Sequence, residues 1–341
     1  MRIIDANKIK YAVLENILPK FNDKNKLIIH IDLNSILRSI LSPTVIISAS
    51  DKITQESAVS SIINMIAHYR EYFIRQNIVT HFFLYYNKDI KKNKDILEYG
   101  NKYYNKINGS SIDFFDKYTF ITNVLKSVQD IIKYIPKAYY IEDDNNENYV
   151  NALYFLNQKD YNLIISKDIL WYQLVNSDNT ILLRPKRDDS YIINKGNIFD
   201  YELKSYKKYY KDLKNISILL ASHGVKSRGL TRFKHDKEVK ENIDTSITYG
   251  DFSISLFDIE DKEELIQRFR LVDAKYQLSI ITQIESSKLD EQLIDKYNYK
   301  FLRDLNKIYK KDNLLQLEEL VVGVGGATNV KRKLEWSSGQ C

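Results

Sequence analysis

From Leu27 onward, short runs of apolar, β-branched residues alternate with longer amphipathic stretches. Lys26-Leu27-Ile28-Ile29-His30-Ile31-Asp32 is apolar until its last residue, which predicts a buried strand delivering Asp32 at its C-terminal end. Asn34 to Arg38 then begins a turn or helix. From Gln55 to Arg75 the apolar positions Ala58, Ile62, Ile63, Met65, Ile66, Tyr69, Phe73 and Ile74 recur at helical spacing, so an amphipathic helix is predicted there. Thr80 to Tyr86 reads as a second buried strand, completing a βαβ unit.

The pattern continues with a helix over Phe120 to Tyr134, ended by Pro136, and a short strand over Ala138 to Ile141 before the acidic turn Glu142-Asp143-Asp144. Tyr149 to Leu156 is helical, Tyr161 to Ser166 is a third strong strand, and Ile169 to Leu174 is helical. Thr180 to Arg184 and Tyr191 to Ile193 read as a late strand and hairpin. This alternation predicts an α/β fold, a mainly parallel sheet with helices on both faces. After Asn215 the pattern turns to helices, broken by a polar, glycine-containing loop at Ser222 to Thr231. Glu263 to Phe269, Leu289 to Tyr297 and Tyr299 to Tyr309 have helical periodicity. The expected organisation is an α/β domain over 1–214, a helical C-terminal extension over 215–320, and a tail over 321–341 that opens with the hinge-like Gly323-Val324-Gly325-Gly326.

Composition narrows the classes. Hydrophobic residues make up 44% of the 341, enough for a substantial core, and no run approaches the roughly 20 apolar residues of a membrane span. The one cysteine, Cys341, excludes an internal disulfide and a thiolate zinc cluster, which fits an intracellular protein. Net charge is +6, a mild basic excess that permits nucleic-acid binding without demanding it. Heavy use of Lys, Asn, Ile and Tyr looks like an AT-biased coding sequence of the kind viruses and phages often have, which suggests host cytoplasm, with virion association as a further option.

In an open α/β sheet, ligands bind at the carboxyl ends of the strands, so acids there are read together. "LIIHIDLNSILRSI", "THFFLYYNKD", "IISKDILWYQLVNSDNTILLRPKRDDSYII" and "ISILLASHGVKSRGL" follow one another in an order and spacing similar to flap endonucleases and 5′-3′ exonucleases. That resemblance implies a PIN-like nuclease fold. The family hydrolyses phosphodiesters with two Mg²⁺ ions about 4 Å apart, held by converging carboxylates. Carried over by position, Asp32 and Asp168 match ligands and remain acids. The other expected acids are Asn87, Asn146, Asn148, Tyr149, Ser166 and Val225. The resemblance therefore implies a degenerate metal site, unless Glu142, Asp143, Asp144 and Glu147 substitute through a shifted alignment.

Each residue also has a plainer reading. Asp32 and Asp168 are suited to capping the helices that follow them, and Glu142-Asp143-Asp144 to a solvated turn. The stretch from Asn87 to Lys106 aligns with the arch through which the family threads single strands. Lys88, Lys91, Lys92 and Lys94 there suit phosphates, while Tyr99, Tyr103 and Tyr104 suit base stacking. A solvated helix face fits the same residues. Arg38 and the loop Lys226-Ser227-Arg228-Gly229 are further candidates for DNA contact. The five histidines show no ligand spacing.

Three functions compete on this reading. The first is a catalytically degenerate protein that binds branched or single-stranded DNA and needs no cofactor. The second is a non-catalytic subunit with protein partners in a nucleic-acid-processing or virion assembly. The third is an active Mg²⁺-dependent 5′-3′ exonuclease or flap endonuclease with a rearranged acid set. No membrane partner is expected.

Overall fold

In a computed structural model, the chain is described over residues 26–40, 55–86, 114–133, 135, 137–142, 147–156, 159–185, 191–208, 216–225, 228–243 and 259–280. Six strands form one sheet: β1 (Leu27–Asp32), β2 (Thr80–Tyr86), β3 (Ala138–Glu142), β4 (Tyr161–Ile165), β5 (Thr180–Arg184) and β6 (Tyr191–Ile193), in the order β3-β2-β1-β4-β5-β6. All neighbouring pairs are parallel except β5 with β6, which is the predicted hairpin. β1 and β4 sit inside the sheet and are buried along their whole length, which is why they read as continuous apolar runs.

The helices are α1 (Leu33–Ile40), α2 (Gln55–Ile74), α3 (Phe114–Ile132), α4 (Asn148–Phe155), α5 (Ile216–His223), α6 (Asp236–Ile243), α7 (Lys262–Val272) and α8 (Ala274–Ile280). Helix α3 begins six residues before the predicted Phe120. Ile169–Leu174 is a 3-10 turn rather than an α-helix. The Asp168 carboxylate accepts from Leu170 N at 3.0 Å and its carbonyl accepts from Trp171 N at 3.3 Å, which tightens the turn. The predicted helices over 289–297 and 299–309, the hinge at 323–326 and the stretch from Asn87 to Lys106 lie outside the described residues.

Strand alternation divides the core. Leu27, Ile29 and Ile31 of β1, with Leu163, Ile165, Phe82 and Leu84, pack beneath α2 and α3. The opposite face carries Tyr85, Ile164 and Leu182, which meet Trp171, Leu219, Leu220 and Phe269. Thus the helices after residue 215 share a core with the sheet. Gln173 ties them to it. Its Nε2 donates to the carbonyls of Leu170 (3.1 Å) and Val272 (2.8 Å), and its Oε1 accepts from Ser217 Oγ and Ala274 N, both at 2.9 Å. All four hydrogen-bonding positions of one amide are filled, inside the protein.

His30 lies on the same face, fully buried. Asn162 donates Nδ2 to the Asp160 carbonyl at 3.0 Å, so its Oδ1 is what faces His30 Nε2 at 3.1 Å. An oxygen there requires Nε2 to carry the proton, and Nδ1 then accepts from the Tyr85 hydroxyl at 2.8 Å. The imidazole is therefore a neutral part of the core.

Gln173→Leu orphans Ala274 N and the Val272 carbonyl, and is expected to lower unfolding free energy by about 3 kcal/mol in urea titration. An unchanged midpoint would mean that the amide ties nothing. Burial depresses His30 from 6.5 to about 4, opposed weakly by Asn162, and His81 is likewise lowered to about 4 by burial, Lys137 and Lys26. Between those values the unfolded chain binds more protons than the folded one, so stability is present in full above pH 6.5 and is lost as pH falls toward 4. Melting temperature should fall over that window, and less steeply in His30→Gln; identical slopes would assign the acid sensitivity elsewhere.

Candidate functional site

Parallel pairing brings the C-terminal ends of β1, β2 and β4 together, and the period of two puts Asp32 and Ser166 on the face that α4 covers. Asp32 is 3% exposed. Its Oδ2 accepts from Ser166 Oγ at 2.7 Å, and its Oδ1 accepts from Asn148 Nδ2 at 3.0 Å and from Ser35 N at 3.4 Å. The last contact caps α1, so the plainer reading of Asp32 is realised in the structure. Burial pushes the Asp32 carboxyl above its usual range. The hydrogen bonds from Ser166 and Asn148 favour the anion without fully offsetting that burial.

The neighbours form a stitched loop around this carboxylate. Ser166 Oγ, which donates to Asp32, accepts from Asp168 N at 3.1 Å. Ser35 Oγ donates to the Asp32 carbonyl at 3.1 Å and accepts from Lys167 N at 3.2 Å. Asp168 turns its carboxylate to its own 3-10 turn. Asn148 Nδ2 also meets Asn34 Oδ1 at 3.0 Å and the Tyr85 carbonyl at 3.3 Å. The sequence pattern does not announce Asn34, Ser35 or the Tyr85 carbonyl as site atoms, although only Leu33 separates Asn34-Ser35 from the strand-ending acid.

A second charge lies beside the first. Glu147 pairs with the Arg228 guanidinium through Nη1, with side chains 11% and 9% exposed, and that guanidinium lies 5.9 Å from the centre of the Tyr149 ring. Burial works against the Arg228 charge, but the Glu147 carboxylate, Tyr149 and Asp168 together outweigh it and hold Arg228 protonated. Arg228 thus turns inward. It is fixed there by a turn in which the Val225 carbonyl accepts from Arg228 N (2.9 Å) and Leu230 N (3.1 Å). Gly224 begins that loop at φ 86°, where a Cβ would stand 2.5 Å from the Thr231 backbone, so only glycine fits. Val225 itself is buried and apolar.

The remaining sequence candidates fall as follows. Glu142 ends β3 and is partly buried. Arg38 lies in α1, with a side chain outside the described set. Asp143, Asp144, Lys226, Ser227, Lys88, Lys91, Lys92, Lys94, Tyr99 and Tyr103 lie outside the described residues. Among the described residues no three of His, Cys, Asp or Glu are grouped so as to hold a metal ion. The donor set at Asp32 does not fit one either. Ser166 and Asn148 direct hydrogens, not lone pairs, at the carboxylate, and Glu147 is committed to an internal cation. No described helix is long and apolar enough to cross a membrane.

No family model and no curated protein sequence matches this chain. Solved structures do. The bacteriophage T5 flap endonuclease, in a pseudo-enzyme-product complex with DNA and metal ions, is 14% identical with a TM-score of 0.54, covering 84% of this chain and 100% of that one. The T5 5′-exonuclease with divalent zinc ions bound is 16% identical with a TM-score of 0.53 over the same shares. At such identity the likeness is one of fold. The fold of this chain is the PIN-like α/β fold of flap endonucleases and 5′-exonucleases.

Proposed function

We propose that this chain is a catalytically degenerate 5′-nuclease-like protein that holds branched or single-stranded DNA without cutting it. The observation that carries this reading is the pairing of Asp32. Both of its carboxylate oxygens are engaged by the neutral donors Ser166 and Asn148, at positions where the resemblance expects acids. Two-metal hydrolysis needs several carboxylates converging on the ions, because each hard cation must trade hydration for anionic oxygen. Here the strand ends retain Asp32 in a shell of hydrogen-bond donors and Asp168 turned to its own 3-10 turn. The neighbouring carboxylate, Glu147, is neutralised by Arg228.

DNA as the partner is supported by the fold, by the net charge of +6 and by the Lys- and Tyr-rich stretch from Asn87 to Lys106. The T5 flap endonuclease structure of similar fold contains DNA. Arg228, being internal, would act through the loop it anchors, leaving Lys226 and Ser227 as the loop's candidates for phosphate contact.

With Mg²⁺ or Mn²⁺ present, the purified protein is expected to leave flap and 5′-ended duplex substrates intact. It should bind branched DNA with an affinity that falls steeply with salt, and a Lys91→Ala/Lys92→Ala variant should bind more weakly with a shallower salt slope, by about 0.9 per lost phosphate contact on duplex. Cleavage that Asp32→Ala abolishes would sink the non-catalytic reading. Absence of DNA affinity at modest salt, with stable co-purification in a larger assembly, would instead favour a structural subunit.

A further inference from the structure

The amide of Asn148 sits in an unusual place. Its Nδ2 is met by three oxygens from three segments of the chain: Asp32 Oδ1 at the end of β1 (3.0 Å), Asn34 Oδ1 in the first turn of α1 (3.0 Å) and the Tyr85 carbonyl near the end of β2 (3.3 Å). A primary amide has two hydrogens, so three acceptors crowd one two-proton donor. The other end of the same amide is unsatisfied. Asn148 Oδ1 is buried without a hydrogen-bond partner, which ordinarily costs about 1–3 kcal/mol.

A carboxylate, a side-chain amide oxygen and a main-chain carbonyl are together the hard-oxygen set that holds Mg²⁺, Mn²⁺ or Ca²⁺. We propose that Asp32 Oδ1, Asn34 Oδ1 and the Tyr85 carbonyl form a preformed cation cradle, and that the Asn148 NH2 group occupies the position of the ion and keeps it out. This inference rests on the non-catalytic reading above and specifies its physical cause. The NH2 group offers the oxygens partial positive charge while filling the space an ion would need. The three oxygens carry a single formal charge between them, from Asp32, so an ion is not drawn in strongly enough to displace the amide. The arrangement also accounts for the orphaned Oδ1. Turning the amide to satisfy that oxygen elsewhere would remove the NH2 group from the three acceptors.

The test is metal binding, read without any nuclease assay. Mn²⁺ titration of the full chain, followed by electron paramagnetic resonance, should show no saturable site that depends on Asp32. Asn148→Asp replaces the donor by an anionic oxygen at the same length, and should bind Mn²⁺ about tenfold or more tightly than the parent. Adding Asp32→Asn to that variant should abolish the gain, which locates it. Because Asn148→Asp sets two carboxylates together in the metal-free state and can fail to fold, Asn148→Ser provides a second route. Serine is well suited to the start of a helix, and it opens the cradle without adding charge. Its melting temperature should rise with Mn²⁺ where the parent's does not. A parent site as tight as that of Asn148→Asp, or folded variants that gain neither binding nor metal-dependent stability, would overturn the proposal. DNA cleavage by the parent would sink the functional reading, whereas failure of the variants to gain metal would sink only the cradle.

Discussion

Asp32 places a carboxylate inside the protein at the end of a central parallel strand, and a buried anion must be met by opposite charge or by hydrogen-bond donors. This chain answers with donors. Ser166 comes from β4's end, Asn148 from the start of α4 and Ser35 from the first turn of α1, so satisfying a single side chain draws three separate segments to one point. The loop after β4 is fixed in the same network, because Ser166 and Ser35 also receive the backbone N–H groups of Asp168 and Lys167. The strand ends on this face are thereby pinned together by neutral polar contacts.

The same logic extends outward. Glu147, next to Asn148, is a second buried carboxylate, and it receives a guanidinium instead of a neutral donor. Removing either partner would leave an uncompensated charge inside the protein, so Arg228 and Glu147 hold each other by a strict mutual requirement. Gln173 performs the corresponding task for the neutral backbone, filling its four hydrogen-bonding positions across the 3-10 turn, α5 and the α7–α8 junction. Helices distant in sequence therefore reach the sheet through a few polar side chains embedded in an apolar face.

Much of the architecture was legible because its cause is local. β1, β2 and β4 are apolar runs of strand length, and α2 repeats its apolar residues at helical spacing over twenty residues. The apolar residues from Ile169 to Leu174 predict a helix without revealing that the Asp168 side chain tightens the backbone into a 3-10 turn. The two capping readings, of Asp32 and Asp168, were open in the sequence and appear in the structure beside their placement at strand ends. Its Lys-Ser-Arg-Gly setting makes Arg228 a candidate for DNA contact, yet its guanidinium lies inside. Its partner Glu147 is 81 residues away, and nothing in the local sequence announces that contact.

The sequence by itself determined the strands, the long amphipathic helices and the delivery of Asp32 to a strand end, since these depend on apolar periodicity within a few residues. Only the tertiary structure decided which side chains meet that carboxylate. Ser166 is 134 residues from Asp32 and Asn148 is 116, and their roles depend on sheet register and on which hydrogens face the carboxylate. A serine or asparagine can present either a proton or a lone pair, and the choice is made by the oxygens that folding brings to it.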